Sequence, residues 1–252
     1  MKLALGNSLA TQRIGGGAAW SPLALSPLIW CDATQLILSD GDPVSEFTDF
    51  SGNGNHFVQA TTSNKPTYKA SGINSLPAIE GDGVDDMMTL ASIGEVLDWW
   101  AYIVFKPVTM AASKELWAVP DFPAAGSIYR LLETNSSTTI NINQGTGAMP
   151  SSITLASGVK RALRLEGHIT SISYQADNGS PISITGLDGN YPSTANDGRL
   201  AAFNQRIFAR GDPGLYFNAQ IGEIILGSGS LSSENLTLMW TYLNGKWGTA
   251  IP

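Results

Sequence analysis

Two histidines, His56 and His168, supply all the imidazole in 252 residues, and Cys31 supplies the only thiol. Neither histidine stands in a metal-ligand spacing such as His-Glu-x-x-His, so a zinc hydrolase centre of that kind is not written here. No Gly-x-Ser-x-Gly elbow marks a nucleophilic serine, although a Ser-His-Asp triad assembled across the fold stays open. Gly15-Gly16-Gly17 lacks the lysine of a phosphate-binding loop and follows no strand, which reads as a flexible joint.

Carboxylates and amides offer more. The run Asp82-Gly83-Val84-Asp85-Asp86 gathers oxygen ligands of the kind a hard cation takes, which makes Asp82 and Asp85 candidates for calcium, the one cofactor considered. The competing reading is that these side chains accept hydrogen bonds from neighbouring turns. In Ser51-Gly52-Asn53-Gly54-Asn55 the glycines supply positive φ, while Asn53 and Asn55 either bond the local backbone or meet a sugar hydroxyl. Trp99 and Trp100 are adjacent, so in a strand they face opposite ways. One then points to the core and the other to solvent or a partner, and Trp100 is the candidate to stack on a sugar ring. Asp121, Asp188, Asp197 and Asp212 lie in Gly- or Pro-containing loops and read as turn residues; Arg210-Gly211-Asp212 reads as a coincidental adhesion tripeptide.

The elements that must hold these residues are short strands. Charged residues make up 14% of the chain, against roughly 25% in ordinary soluble domains, and 43% is apolar, enough for one large core. The net charge is −7 and the basic residues are scattered, so nucleic acid is not an expected partner. No apolar run of about 18 residues suggests membrane insertion, and Leu3-Ala4-Leu5 is too short for a secretory core. With one cysteine no intrachain disulfide forms, and synthesis in a reducing bacterial cytoplasm is expected.

Residues 1–26, with their glycine run and Pro22, read as an extended arm for attachment or oligomer contact, and residues 27–252 as one domain. Ala101 to Lys106 reads as a buried strand, and Ile221 to Leu226 as another. Ile169 to Gln175 alternates, with Ile172 and Tyr174 on one face and Ser171 and Ser173 on the other. Asn178-Gly179 predicts a type I′ hairpin turn into a strand over Pro181 to Thr185. Near the end the period changes: Leu236, Met239, Trp240, Leu243 and Trp247 predict one amphipathic helix, capped by Ser232 and ended by Gly245. The fold class is therefore all-β, an antiparallel two-sheet sandwich with a short C-terminal helix.

Four motifs occur in order: Trp30-Cys31-Asp32-Ala33; Phe47 to His56; Lys65-Pro66-Thr67-Tyr68; and Ile73 to Asp86. Together with Ile221 to Ile225, Leu231-Ser232 and Lys246-Trp247-Gly248, they resemble the concanavalin A-like lectin/glucanase superfamily. The closer resemblance is to laminin G-like jelly-roll modules of bacteriophage and bacterial surface proteins, and it spans about residues 28–248. It implies a jelly roll, and for some relatives a calcium ion at the sheet rim. Glucanase members carry alternating carboxylates along one strand; no such run is present and Glu223 stands alone in its strand, so the chain is expected not to be an enzyme. The resulting expectation is a virion or phage-like particle surface protein, a spike, fibre or adhesin. It would act as a homo-oligomer that binds host cell-surface polysaccharide and contacts other particle subunits through residues 1–26. The alternative is a purely structural decoration or joint protein.

Overall fold

The structure is a computed structural model, and it describes residues 20–119, 129–144, 153–177, 179–185, 200, 203–209 and 215–249. Among these residues, two antiparallel sheets of eight strands each face one another. The first runs β14 (Ile182–Thr185), β13 (Ser171–Ala176), β12 (Arg161–His168), β7 (Trp99–Pro107), β16 (Asn218–Ser228), β5 (Leu76–Asp82), β4 (Thr67–Ile73). β1 (Ile29–Asp32) continues along the β16 edge that β5 leaves. The second runs β11 (Ile153–Thr154), β10 (Thr139–Gln144), β9 (Tyr129–Ser136), β8 (Glu115–Val119), β15 (Gln205–Ile207), β6 (Met88–Leu90), β3 (Phe57–Val58), β2 (Glu46–Phe47). A helix, α1 (Ser233–Trp247), lies on the outer face of the first sheet. The expected all-β sandwich with a C-terminal helix is what the chain forms.

Strand alternation builds two cores. Trp99, Ala101, Ile103 and Phe105 of β7 point between the sheets, while Trp100, Tyr102 and Val104 point outward under α1. With both faces covered, β7 reads in sequence as an unbroken apolar run. Burying a side chain such as Phe105 in full contributes roughly 1.5–3 kcal/mol. The outer core depends on two glycines of β16: a Cβ on Gly227 would stand 2.2 Å from the Trp100 ring, and one on Gly222 2.6 Å from the Trp247 ring.

Ser232 caps α1 as expected, its hydroxyl accepting from the Asn235 amide. The helix does not stop at Gly245; it runs on to Trp247 and ends at Gly248, which holds φ 57°. The last turn is retained because it carries the buried Trp247 and Lys246 onto a buried carboxylate. Glu223 accepts from Trp30 Nε1 (2.7 Å), the Tyr242 hydroxyl (2.7 Å), Trp247 Nε1 (2.6 Å) and Lys246 Nζ (3.1 Å). Lys246 also donates to Asp32 at 2.6 Å. Burial pushes the Glu223 carboxyl up and the Lys246 ammonium opposes that shift.

Of the arm expected over residues 1–26, the described part includes a short 3-10 turn, Pro22–Leu25. Trp20 meets the Tyr242 ring edge-on at 5.8 Å, and Leu25 packs on the outer core. The β13–β14 connection is longer than a two-residue turn, since its innermost pair is Tyr174 with Ile182, and positive φ falls on Asp177. Asn178, Gly15-Gly16-Gly17, Asp121, Asp188, Asp197 and Arg210-Gly211-Asp212 lie outside the described residues.

Candidate functional site

On β12, Leu163 and Leu165 enter the core, so Arg164, Glu166 and His168 rise from the outer face at every second position. The neighbouring strands complete a ladder: Arg164 lies between Tyr102 and Gln175, Glu166 between Trp100 and Ser173, and His168 beside Ser171. Arg164 spends one terminal nitrogen on Glu166 and the other on Gln175 Oε1 at 3.4 Å. His168 Nδ1 sits 2.8 Å from Asp98 Oδ1, and its Nε2 sits 3.8 Å from Glu166 Oε1. Side-chain exposure rises along this chain from 9% at Arg164 through 15% and 35% to 56% at Asp98, so a ligand meets the Asp98–His168 end first.

With Asp98 on Nδ1, the Nε2 edge of His168 is turned toward Glu166. A hydroxyl or water placed between those groups has the Glu166 carboxylate to donate to. The arrangement can therefore grip a polyol. No serine is hydrogen-bonded to His168 among the described contacts, so the open Ser-His-Asp possibility is not formed there.

Beside the ladder a groove of about 190 Å³ opens between α1 and β13, lined by Gln175, Leu236, Thr237, Trp240, Thr241 and Asn244. Thr237 and Thr241 donate their hydroxyl protons back to the carbonyls of Ser233 and Thr237, at 2.9 and 2.7 Å, which leaves lone pairs to accept from a ligand. Trp240 is buried in the wall and meets Tyr102 edge-on at 5.2 Å. The Tyr102 hydroxyl is itself buried and has no hydrogen-bond partner among the described residues. Burial pushes its ionisation up.

The residues singled out in the sequence lie elsewhere. Trp100 is not the exposed member of its pair: it is 2% exposed, lying over Gly227 in the outer core, and its indole is closed to a sugar. Asn53 donates to the Pro27 and Leu28 carbonyls (3.0 and 3.2 Å), and Asn55 to Leu28 (2.8 Å). Asp49 ties the same loop, accepting from the amides of Trp30, Ser51 and Asn55. The Asn53 loop is thus fastened down by its own amides.

Asp82, Asp85 and Asp86 place one carboxylate oxygen each within 4.8 Å of one another. Asp82 Oδ1 accepts from the Val84 amide at 2.8 Å, and Asp86 Oδ2 from the Asp82 amide at 3.0 Å, so the turn uses these oxygens itself. Burial, more than the neighbouring carboxylates, raises the Asp86 carboxyl to about 6. Asp82 also borders a rim cavity of about 170 Å³ with Lys114, Tyr216 and Asn218. Asn53 and Asp82 serve separate turns.

The ladder was legible in Leu163-Arg164-Leu165-Glu166-Gly167-His168 as a period-2 alternation, but a search for carboxylate runs passes over it. Glu223, alone in its strand, lies across from Asp32 once β1 pairs with β16.

No family model matches the chain, and no curated protein matches its sequence. Solved structures do share the fold. A GH54 α-L-arabinofuranosidase mutant soaked with 4-nitrophenyl α-L-arabinofuranoside aligns over 79% of this chain and 50% of its own, at TM-score 0.57 and 15% identity. A Trypanosoma rangeli sialidase in complex with 2,3-difluorosialic acid aligns over 88% and 33%, at TM-score 0.57 and 12% identity. Domain 4 of a GH43 extracellular arabinanase from Geobacillus stearothermophilus, in complex with arabinotriose, aligns over 79% and 98%, at TM-score 0.54 and 15% identity. The chain spans half of the arabinofuranosidase and a third of the sialidase. These likenesses correct the expectation that the chain is not an enzyme, because the fold is shared with carbohydrate-cleaving proteins. At such identities what is shared is the fold: a two-sheet antiparallel sandwich found within carbohydrate-active proteins.

Proposed function

We propose that this chain is a carbohydrate-binding domain that holds a glycan on the outer face of its first sheet. The observation that carries this reading is the Asp98–His168–Glu166–Arg164 ladder running beside the α1 groove. Carboxylate, imidazole, guanidinium, amide and hydroxyl groups converge on one face, each able to exchange hydrogen bonds with sugar hydroxyls. Arabinotriose, present with the similar domain 4, supports the ligand class.

Titration calorimetry against neutral and acidic oligosaccharides tests the proposal. Binding is expected, with His168→Ala and Glu166→Gln weakening it at least tenfold while thermal melting confirms folded protein. Absence of binding to any oligosaccharide, or binding untouched by both variants, overturns it. Assay of released reducing ends in the same samples tests for cleavage.

The finer reading places this domain on a virion or phage-like particle, engaging host polysaccharide and joined to other subunits through residues 1–26. It rests on the laminin G-like resemblance and on the arm. Loss of particle incorporation on deleting residues 1–19 supports it; unchanged incorporation counts against it. Calcium at Asp82 and Asp85 rests on the three clustered carboxylates, and an unchanged melting temperature on adding calcium counts against it.

A further inference from the structure

We infer that the glycan held by this face is uncharged, with one neutral sugar ring seated in the α1–β13 groove in preference to a sialic or uronic acid. This rests on the glycan-binding reading and specifies its ligand.

Charge decides the class. A carboxylate-bearing sugar needs a cation with donors to spare. The ladder's cation is Arg164, which is 9% exposed, has its charge paired with Glu166 and also donates to Gln175, so it presents little of its cation to a ligand. Its Nε is buried out of reach. His168 is bracketed by Asp98 on one ring nitrogen and Glu166 on the other, so an incoming anion meets carboxylates on both sides of the imidazole. The chain as a whole carries −7, which disfavours the approach of anions further.

The groove itself is lined by neutral groups. Thr237 and Thr241 have given away their protons and now accept; Asn244 has its carbonyl oxygen occupied by the Thr249 hydroxyl and offers its amide protons. A ligand must therefore bring hydroxyl donors to the threonines and an oxygen acceptor to Asn244, which a sugar ring does with adjacent hydroxyls. The volume, about 190 Å³, falls between the ~150 Å³ cavity that holds benzene and the ~300 Å³ at which drug-sized sites begin, so one ring fits. The ladder beyond it, from Arg164 to His168, extends about 13 Å at the strand rise of ~3.3 Å, giving a connected chain further contacts.

Calorimetry at low salt with arabinotriose and xylotriose against sialyllactose and trigalacturonate tests the inference. At least one neutral trisaccharide is expected to bind tenfold or more tightly than either acidic one. Thr241→Val, which removes an exposed hydroxyl without changing side-chain shape, is expected to weaken that binding at least fivefold with the melting temperature unchanged. Equal or tighter binding of an acidic sugar overturns the inference and leaves the glycan reading standing. No binding of any of the four probes overturns the glycan reading itself, and neutral binding indifferent to Thr241→Val removes the groove from the site.

Discussion

Asp86 sits buried beneath the turn after β5, with one oxygen on the Asp82 amide and its carboxyl raised to about 6 by burial. The unfolded chain releases that proton near the ordinary 3.8, so between about 6 and 3.8 the folded state holds more proton than the unfolded one. Stability is gained as pH falls through that window, and above it the buried charge costs its full amount. NMR of the carboxyl carbon is expected to give a midpoint near 6, and Asp86→Asn to flatten the pH dependence of melting across the window. A midpoint near 3.8 with unchanged pH dependence contradicts this. The same turn separates what single residues disclose from what they do not. The hydrogen-bonding habits of Asp and Asn are local, so Asp82 and Asn53 as turn-formers were open to inspection of their neighbours. Whether Trp99 or Trp100 faces outward, and whether that outer face is bare or covered, depends on α1, more than 130 residues further along.

Among the elements, β16 bears the most consequence, because its glycines are where the outer core reaches the sheet. A methyl at Gly227 would collide with the Trp100 ring, whose movement is resisted by Tyr102 beside it at 6.2 Å. Gly227→Ala is expected to cost about 1–3 kcal/mol, the range for overpacking, seen as a lower denaturation midpoint with unchanged m-value. Pairing it with Trp100→Phe should return part of that loss; full additivity of the two substitutions would mean that the ring is not what the methyl strikes. Helix α1 was plain in the sequence, since five apolar residues at helical spacing follow a capping serine. Its end is ambiguous in the sequence because two glycines, Gly245 and Gly248, offer the same signal, and only the bonds of the last turn to Glu223 choose between them. The alternation of β12 was equally present. It carried no message until β7 and β13 aligned Tyr102, Arg164 and Gln175 in one row.

At the scale of the molecule, the order of four motifs gave the jelly-roll sandwich, whereas the candidate site is assembled from pieces that no single stretch contains. Asp98 precedes β7, His168 ends β12, and the groove wall belongs to the C-terminal helix. The helix is thus both a seal over hydrophobic surface and one bank of the groove, which ties ligand contact to the clasp at Glu223, Asp32 and Lys246. Cys31 lies in the strand that carries Asp32 of that clasp, fully buried between the sheets. Its sulfur is turned on the Phe47 carbonyl at 3.4 Å, and burial pushes the thiol well above its usual range. A thiol so placed is chemically silent while β1 stays paired with β16. Modification by a mass-tagged maleimide should therefore proceed only as fast as that pairing is lost, and any ligand that binds and stabilises the fold, the proposed glycan included, should slow it. The chain then carries a single-site clock for its own opening, readable by mass spectrometry without adding a label to the sequence.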